Sequence, residues 1–479
     1  MNKILLIPVS VFRERAIPLG IGYIASLLEK NNYKVKVYDP APYEKIDIVD
    51  YIKKFSPDII GISTMTTSFT AASQIATKIK SNFDIPIVFG GVHPTVTPVE
   101  TLKNTFIDYV VIGEGEYTFL ELLDSLSNGK NLKHIRGLGY KDDKIIINTP
   151  RPLIKNLDIL PLPARHLFPK WYFGRRLSGT FWMKTADIMT SRGCPYNCVF
   201  CSSRALFGRR VRFHSVNYVV DEIEHILNKY KSEMILFADD TFSINEKRAI
   251  KICREIRRRK LDFTFYAQLR ADTTTDKLVK ELVKAGCKRV TIGAESGSQR
   301  ILNILKKGIT PKQTLNSCKI VKKYGLFLYL SFMIGNPTET YEDIEMTRKL
   351  AKKSEADELR FFITTPYPGT ELYNSLINEN PEMKKISYDK FHPGGDNSYP
   401  IFKTSIPKDE IVDIQKKLND EFMKSYVLKI IKNKWFIIDT ISLILQKPFI
   451  LTESAKKLVK TRKFTEFYRV FYDGHKMRR

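Results

Sequence analysis

Apolar residues in the first 130 positions fall into short continuous runs rather than strict alternation. Residues 3–9, 34–38, 58–63, 85–90 and 108–113 read as strands, and helical spacing covers 20–30, 71–80 and 117–127. Runs without alternation belong to strands covered on both faces, which predicts a parallel sheet flanked by helices. A small hairpin is expected at 137–147. Residues 131–185 are otherwise irregular, punctuated by Pro150, Pro152, Pro161, Pro163 and Pro169. A second alternating series begins at Ile188, with strands at 188–190, 234–238, 263–267, 289–293, 327–335 and 358–364 and helices such as 219–229 and 249–259. Six βα units of this length predict a full or partial barrel whose site lies at the carboxyl ends of its strands. Residues 405–479 read as helix throughout. The expected fold class is therefore α/β. A Rossmann-like domain (1–145) is followed by a linker (146–185), a partial barrel (186–400) and a helical, basic C-terminal region (401–479).

Composition narrows the class. With 479 residues, 43% hydrophobic and 27% charged, the chain has material for a core and is neither disordered nor collagen-like, and two to four domains are expected. The longest apolar stretch, 435–451, is broken by Asp439, Lys447 and Pro448, so no clean membrane span is predicted. Six cysteines are too few for a disulfide scaffold, and no secretory signal precedes Ile4, so a reducing cytoplasm is expected. The net charge of +26 is uneven. Residues 1–150 hold 17 basic and 16 acidic side chains, 170–212 hold nine basic residues and only Asp187, and 424–479 hold 14 basic against four acidic. Such patches suit an anionic partner, although solvated lysine-rich helix faces give the same arithmetic. In 424–479 the basic residues interleave with Tyr426, Trp435, Phe436, Phe449, Phe464, Phe467, Tyr468, Phe471 and Tyr472. That pattern fits peripheral contact with the inner membrane surface, or a helical subdomain packing its aromatics inward. Nucleic acid is disfavoured because no RNA-binding module is visible.

Candidate chemistry sits at strand ends. Ser63-Thr64, Gly90-Gly91 and Gly113-Glu114-Gly115 follow three strands of the first series, where small residues let a ligand approach the backbone. After the first strand of the second series comes Ser191-Arg192-Gly193-Cys194-Pro195-Tyr196-Asn197-Cys198-Val199-Phe200-Cys201. Three thiolates on one short loop can hold three irons of a [4Fe–4S] cluster and leave the fourth open to a small molecule. Zinc would require a fourth ligand, for which His214 is conceivable, but the spacing matches zinc poorly. Cys253, Cys287 and Cys318 are isolated and read as buried structural residues.

The cysteine loop resembles that of the radical S-adenosylmethionine superfamily, and ordered matches extend over about residues 185–375. Phe237-Ala238-Asp239-Asp240-Thr241-Phe242 ends the second barrel strand, Gly293-Ala294-Glu295-Ser296-Gly297-Ser298 the fourth and Ile334-Gly335-Asn336-Pro337 with Glu339-Thr340 the fifth; Thr365-Pro366-Tyr367-Pro368-Gly369-Thr370-Glu371 closes the sixth. The resemblance implies a cluster on Cys194, Cys198 and Cys201. It also implies S-adenosylmethionine held by Phe200, Asp239 or Asp240, Glu295, Ser296 and Ile334, with weaker roles for Gln268 and Arg270. Residues 1–145 resemble the cobalamin-binding domain of one large class of that superfamily, through Pro18-Leu19-Gly20-Ile21-Gly22-Tyr23, Gly90-Gly91-Val92-His93-Pro94-Thr95 and Gly113-Glu114-Gly115-Glu116. The Asp-x-His-x-x-Gly element that supplies an axial histidine elsewhere is absent. The resemblance thus implies cobalamin without that ligand, against Ser63, Thr64, Gly90, Gly91, Gly113 and Glu114, with His93 a packing residue. The implied function is reductive cleavage of S-adenosylmethionine to a 5′-deoxyadenosyl radical. With cobalamin, it methylates or otherwise remodels an unactivated carbon of a small-molecule or lipid, even isoprenoid, substrate, and a reducing electron donor is required. A radical enzyme that does not use cobalamin as a reagent, and a non-catalytic cobalamin-binding module, are the alternatives.

Overall fold

The computed structural model describes residues 1–10, 17–40, 46–173, 175–178, 181–392 and 398–431. Two compact units emerge. The first comprises Met1–Pro169, Ser191–Ser215 and Thr365–Phe402; the second comprises Lys170–Thr190, Val216–Thr364 and the chain from Lys403 onward.

In the first unit, β1 (Lys3–Val9), β2 (Lys34–Val37), β3 (Ile59–Thr64), β4 (Ile87–Gly90) and β5 (Tyr109–Val111) form a parallel sheet in the order β2-β1-β3-β4-β5. The hairpin of β6 (Leu138–Lys141) and β7 (Ile145–Ile147) extends it antiparallel. Its helices are α1 (Leu19–Lys30), α2 (Ile48–Phe55), α3 (Phe69–Lys80), α4 (Val92–Val96), α5 (Pro98–Leu102) and α6 (Gly115–Asn128). The continuous apolar runs have the predicted cause. Six of the seven residues of β1 are buried, and Leu5, Ile7, Ile60, Ile62 and Phe89 pack with Ala72, Ala76 and Ile79 of α3. Burying each such side chain stabilises the fold by about 1.5–3 kcal/mol.

The chain then forms β8 (Arg175–Ser178) and β9 (Phe181–Ile188) in the second unit, and the short antiparallel pair β10 (Ser191–Arg192) and β11 (Arg212–Phe213) in the first. Between that pair lies α7 (Ser203–Phe207). Strand β9 begins inside the stretch read from sequence as linker; its first residues are aromatic and lack the alternation that marks a strand.

The second unit continues with α8 (Val216–Tyr230), β12 (Met234–Phe237), α9 (Glu246–Arg258), β13 (Thr264–Leu269), α10 (Asp276–Lys284), β14 (Cys287–Glu295), α11 (Gln299–Ile304), α12 (Pro311–Lys323), β15 (Phe327–Ile334), α13 (Tyr341–Lys353) and β16 (Glu358–Ile363). Six parallel strands run β16-β15-β14-β13-β12-β9, with β8 antiparallel at the edge. Burial alternates along β15. Leu328, Leu330, Phe332 and Ile334 face the helical layer in the core, so Tyr329, Ser331 and Met333 face the other side. Helix α14 (Glu371–Leu376) belongs to the first unit, and α15 (Lys408–Ile431) to the second. Among the described residues no helix is long and apolar enough to cross a membrane. The basic, aromatic stretch expected to meet a membrane falls almost wholly outside the described residues.

Candidate active site

The carboxyl ends of β3, β4 and β5 are built to let backbones lie close. Gly91 has φ +98°, and a Cβ there would stand 2.6 Å from the Thr64 carbonyl oxygen and 3.1 Å from Ser63 Oγ. Only glycine permits this approach. Gly113 has φ +78°, with nothing within 4 Å of a Cβ position, and its N–H donates to Thr95 Oγ1 at 3.0 Å. Ser63, Gly90, Gly91 and Gly113 are half-buried, so three adjacent strand ends offer small, accessible surfaces, the chemistry a bulky corrinoid tail requires. Thr64 is more enclosed. Its hydroxyl donates to Met65 O at 3.0 Å and lies 2.8 Å from Ser68 Oγ. His93 has no exposed surface. Its Nδ1 lies 3.3 Å from Thr66 Oγ1, and its ring packs 4.2 Å from Phe69 and 4.4 Å from Tyr388. Burial pushes its pKa down to about 3, so it is a neutral packing group.

Glu114 takes a different role from its neighbours. Its carboxylate accepts from Arg192 Nη1 at 2.8 Å, from Arg212 Nη1 at 2.8 and 2.9 Å, and from the N–H of Ile154 at 2.8 Å. Arg192 Nη2 also donates to Glu116 Oε1 at 2.7 Å. Burial alone raises the Glu114 pKa, but the Arg212 and Arg192 guanidiniums outweigh it and hold the carboxyl below its usual range. Burial likewise opposes the charge on Arg192, and Glu116 and Glu114 overcome it and raise its pKa. Both oxygens of Glu114 are thus engaged by the two arginines and the Ile154 amide.

Arg192 and Arg212 pair opposite one another across β10 and β11, and the cysteine loop is the excursion between them. Gly193, at φ +93°, has space for a Cβ denied by Arg210 O at 2.4 Å and Phe207 Cβ at 3.2 Å. The N–H of Cys201 donates to Cys198 O at 3.2 Å, and the N–H of Leu372 in α14 donates to Val199 O at 2.9 Å. Cys194, Cys198 and Cys201 are half-buried and none is in a disulfide. Among the described residues no three His, Cys, Asp or Glu side chains converge on one ion; thiolates that each take a different corner of a cube need no such convergence. Cys253, Cys287 and Cys318 are buried, and burial raises each thiol, Cys253 and Cys318 to about 12, which leaves them protonated and inert.

The remaining expected ligand contacts, Phe200 excepted, lie in the second unit. Asp239 is buried and accepts from Thr190 N at 2.7 Å and Thr190 Oγ1 at 2.6 Å. Arg248 donates to the Thr190 carbonyl at 2.8 Å. Asp239 therefore secures the chain as it leaves β9, while the adjoining Asp240 is exposed. Glu295 sits at φ +60°, where β14 shifts register against β15, and its carboxylate accepts from Lys307 Nζ at 2.7 Å. A Cβ at Gly293 would lie 2.4 Å from Glu295 Oε1, so the glycine makes this bend possible. Arg270, a buried side chain, donates to the Lys307 carbonyl and thereby supports that pair. Ser296 has no exposed surface; its hydroxyl lies 3.1 Å from Thr347 Oγ1 and accepts from Ser298 N at 3.1 Å, so it holds the turn. Ile334 is a core residue facing the helices, and its carbonyl accepts from Thr364 N at 2.9 Å. The alternation of β15 puts Met333 on the face opposite that core, and Gln268 of β13 is exposed. Beyond β15, Asn336 donates to both oxygens of Glu339 at 3.0 Å. Burial outweighs these bonds and pushes the Glu339 carboxyl up to about 7.

Comparison with known proteins agrees with both sheets. Residues 188–351 match the model of the radical SAM superfamily, and residues 6–123 match that of the B12 binding domain. An uncharacterized methyltransferase of Pyrococcus horikoshii is 44% identical over 368 residues, 76% of this chain and 79% of the relative. An anaerobic magnesium-protoporphyrin IX monomethyl ester cyclase of Rubrivivax gelatinosus is 27% identical over 95% of this chain and 80% of its own length. Among solved structures, the methyltransferase TsrM of Kitasatospora setae, with cobalamin and a [4Fe–4S] cluster bound, superposes with a TM-score of 0.67 at 21% identity, covering 79% of this chain and 75% of its own.

Proposed function

The chain belongs to the radical S-adenosylmethionine enzymes that carry an N-terminal cobalamin-binding domain, and from that premise we propose that it methylates an unactivated carbon of a hydrophobic small molecule. Its cofactors are a [4Fe–4S] cluster, S-adenosylmethionine and cobalamin, and it catalyses cobalamin-dependent radical methylation or closely related carbon chemistry. When bound, the cluster supplies the electron that cleaves S-adenosylmethionine and cobalamin supplies a methyl carrier. The protein's part is positioning. Cys194, Cys198 and Cys201 hold three iron corners. Within the second unit, the exposed carboxylate of Asp240 is an acceptor suited to the α-ammonium group of S-adenosylmethionine, and Met333 and Gln268 supply apolar and amide surface on the face of the sheet away from its core. Ser63, Gly90, Gly91 and Gly113 admit the cobalamin tail.

The observation that carries this reading is that the half-buried cysteine loop and the glycine-lined strand ends belong to one compact unit. The 44% identical methyltransferase favours methyl transfer, and the cyclase matched over 95% of the chain favours a second reading, ring closure. A lipid or isoprenoid substrate and a peripheral membrane location rest on the sequence of 424–479 alone. The test is anaerobic reconstitution with S-adenosylmethionine, a low-potential reductant and candidate hydrophobic acceptors. Methyl transfer yields both 5′-deoxyadenosine and S-adenosylhomocysteine, and ring closure yields the first alone. Release of 5′-deoxyadenosine no greater than from Cys198→Ala protein contradicts both.

A further inference from the structure

The Glu114-Gly115-Glu116 turn opens α6 directly after β5, beside the strand ends assigned to cobalamin. Its two carboxylates meet the two guanidiniums that flank the cysteine loop. Arg192 stands two positions before Cys194 on β10, and Arg212 faces it on β11. All four side chains are removed from water, at 5% exposure for Glu114 and Arg192, 4% for Glu116 and 9% for Arg212. The charges balance, two against two. Aromatic faces close the set: the Tyr23 ring of α1 lies 5.0 Å from the Arg192 guanidinium, and the Phe207 ring of α7 lies 5.7 Å from that of Arg212. Arg212 Nη1 also donates to Ile154 O at 2.8 Å, so the chain after β7 is tied in. Segments with no sequence proximity thus converge on the base of one loop.

We propose that Glu114 is a positioning residue: through Arg192 and Arg212 it fixes the cluster-bearing loop to the cobalamin-side strand ends, and so sets the spacing of the two cofactors within the first unit. The inference rests on the assignment of the cluster to Cys194, Cys198 and Cys201 and of cobalamin to the β3–β5 ends. Geometry favours this role over contact with cobalamin, because every Glu114 oxygen is engaged by the hairpin arginines and Ile154. A buried ion set answers sharply to loss of one member, since the remaining charges keep their desolvation cost without their partner.

Glu114→Gln leaves two buried guanidiniums facing one carboxylate. Its expected effects begin in the apoprotein. Arg204, Arg209 and Arg210 are exposed on the loop between β10 and β11, and trypsin cleavage there is expected to accelerate on the order of tenfold, because cleavage follows the open population. In reconstituted protein, the corrinoid dissociation constant stays within about threefold of wild type, while the electron paramagnetic resonance signal of the reduced cluster shifts or broadens. The double variant Glu114→Gln/Arg212→Leu removes one charge of each sign and is expected to recover most of the protease resistance and the cluster signal. Cleavage and cluster signal unchanged in Glu114→Gln, with corrinoid affinity reduced more than tenfold, would overturn the proposal and make Glu114 a cobalamin contact. Failure of the double variant to recover either property overturns the charge-balance basis. Wild-type protein that takes up no cluster or no corrinoid refutes instead the cofactor assignment beneath it.

Discussion

At Gly91 a single methyl group stands between an accessible strand end and a backbone collision. Alanine there meets both an unfavourable φ of +98° and the Thr64 carbonyl at 2.6 Å. Gly91→Ala is expected to lose more than about 1 kcal/mol of stability and to weaken corrinoid binding; urea unfolding and an absorbance titration measure the two, and unchanged values contradict the tight β3–β4 approach. Glu339 offers a pH test. Its folded pKa of about 7 lies above the unfolded value near 4.3, so between those values the fold holds a proton that the unfolded chain has released. Stability from this group is therefore lost as pH rises through that window and levels off above it, by up to about 4 kcal/mol in all. The stability gap between wild type and Glu339→Gln should shift by roughly two thirds of that amount, against wild type, from pH 5 to pH 8. A gap independent of pH shows the carboxyl titrating normally.

Elements differ in how much of themselves they reveal in sequence. Strands β1, β3, β4 and β5 were legible because burial leaves continuous apolar runs, the edge strand β2 because Lys and Val alternate along it, and the cysteine spacing because the chemistry is local. Strands β10 and β11 have two residues each, too short for any period, so the hairpin beneath the cysteine loop gave no signal. The partners of Arg192 lie at Glu114 and Glu116, a long-range pairing that no local pattern encodes. The burial of Ser296 and Ile334 was illegible for a related reason, since a motif fixes a position along the chain while its packing is set by long-range contacts. Helix α15 shows what protects the edge of the second sheet. Asn419 accepts from the N–H of Phe361 and donates to its carbonyl, both at 3.0 Å, and Gln415 donates to the same carbonyl at 3.1 Å. Asn419→Ala leaves the buried Phe361 amide without this partner, at a cost of about 1–3 kcal/mol, and uncovers strand β16. Thermal melting and light scattering should report lower stability and earlier aggregation; wild-type behaviour would mean that α15 holds the edge by other contacts.

On the scale of the whole molecule, the chain assigns its cofactors to different depths of the same sequence. The basic surplus lies outside the first 150 residues, and part of it, the five arginines of 191–215, enters the first unit with the cysteine loop. The cysteine loop belongs to that same unit although β9, the strand that leads to it, belongs to the other. Such a division is not legible along the chain, because contacts and not sequence adjacency define a unit. The most direct measurement is composition: protein purified anaerobically from cobalamin-replete cells, its ultraviolet–visible spectrum recorded, and iron, sulfide and corrinoid counted per chain. About four iron and four sulfide together with stoichiometric corrinoid are expected, the iron falling away in Cys198→Ala while the corrinoid stays. A full cluster with no corrinoid would contradict the two-cofactor reading and leave the glycine-lined strand ends to some other ligand.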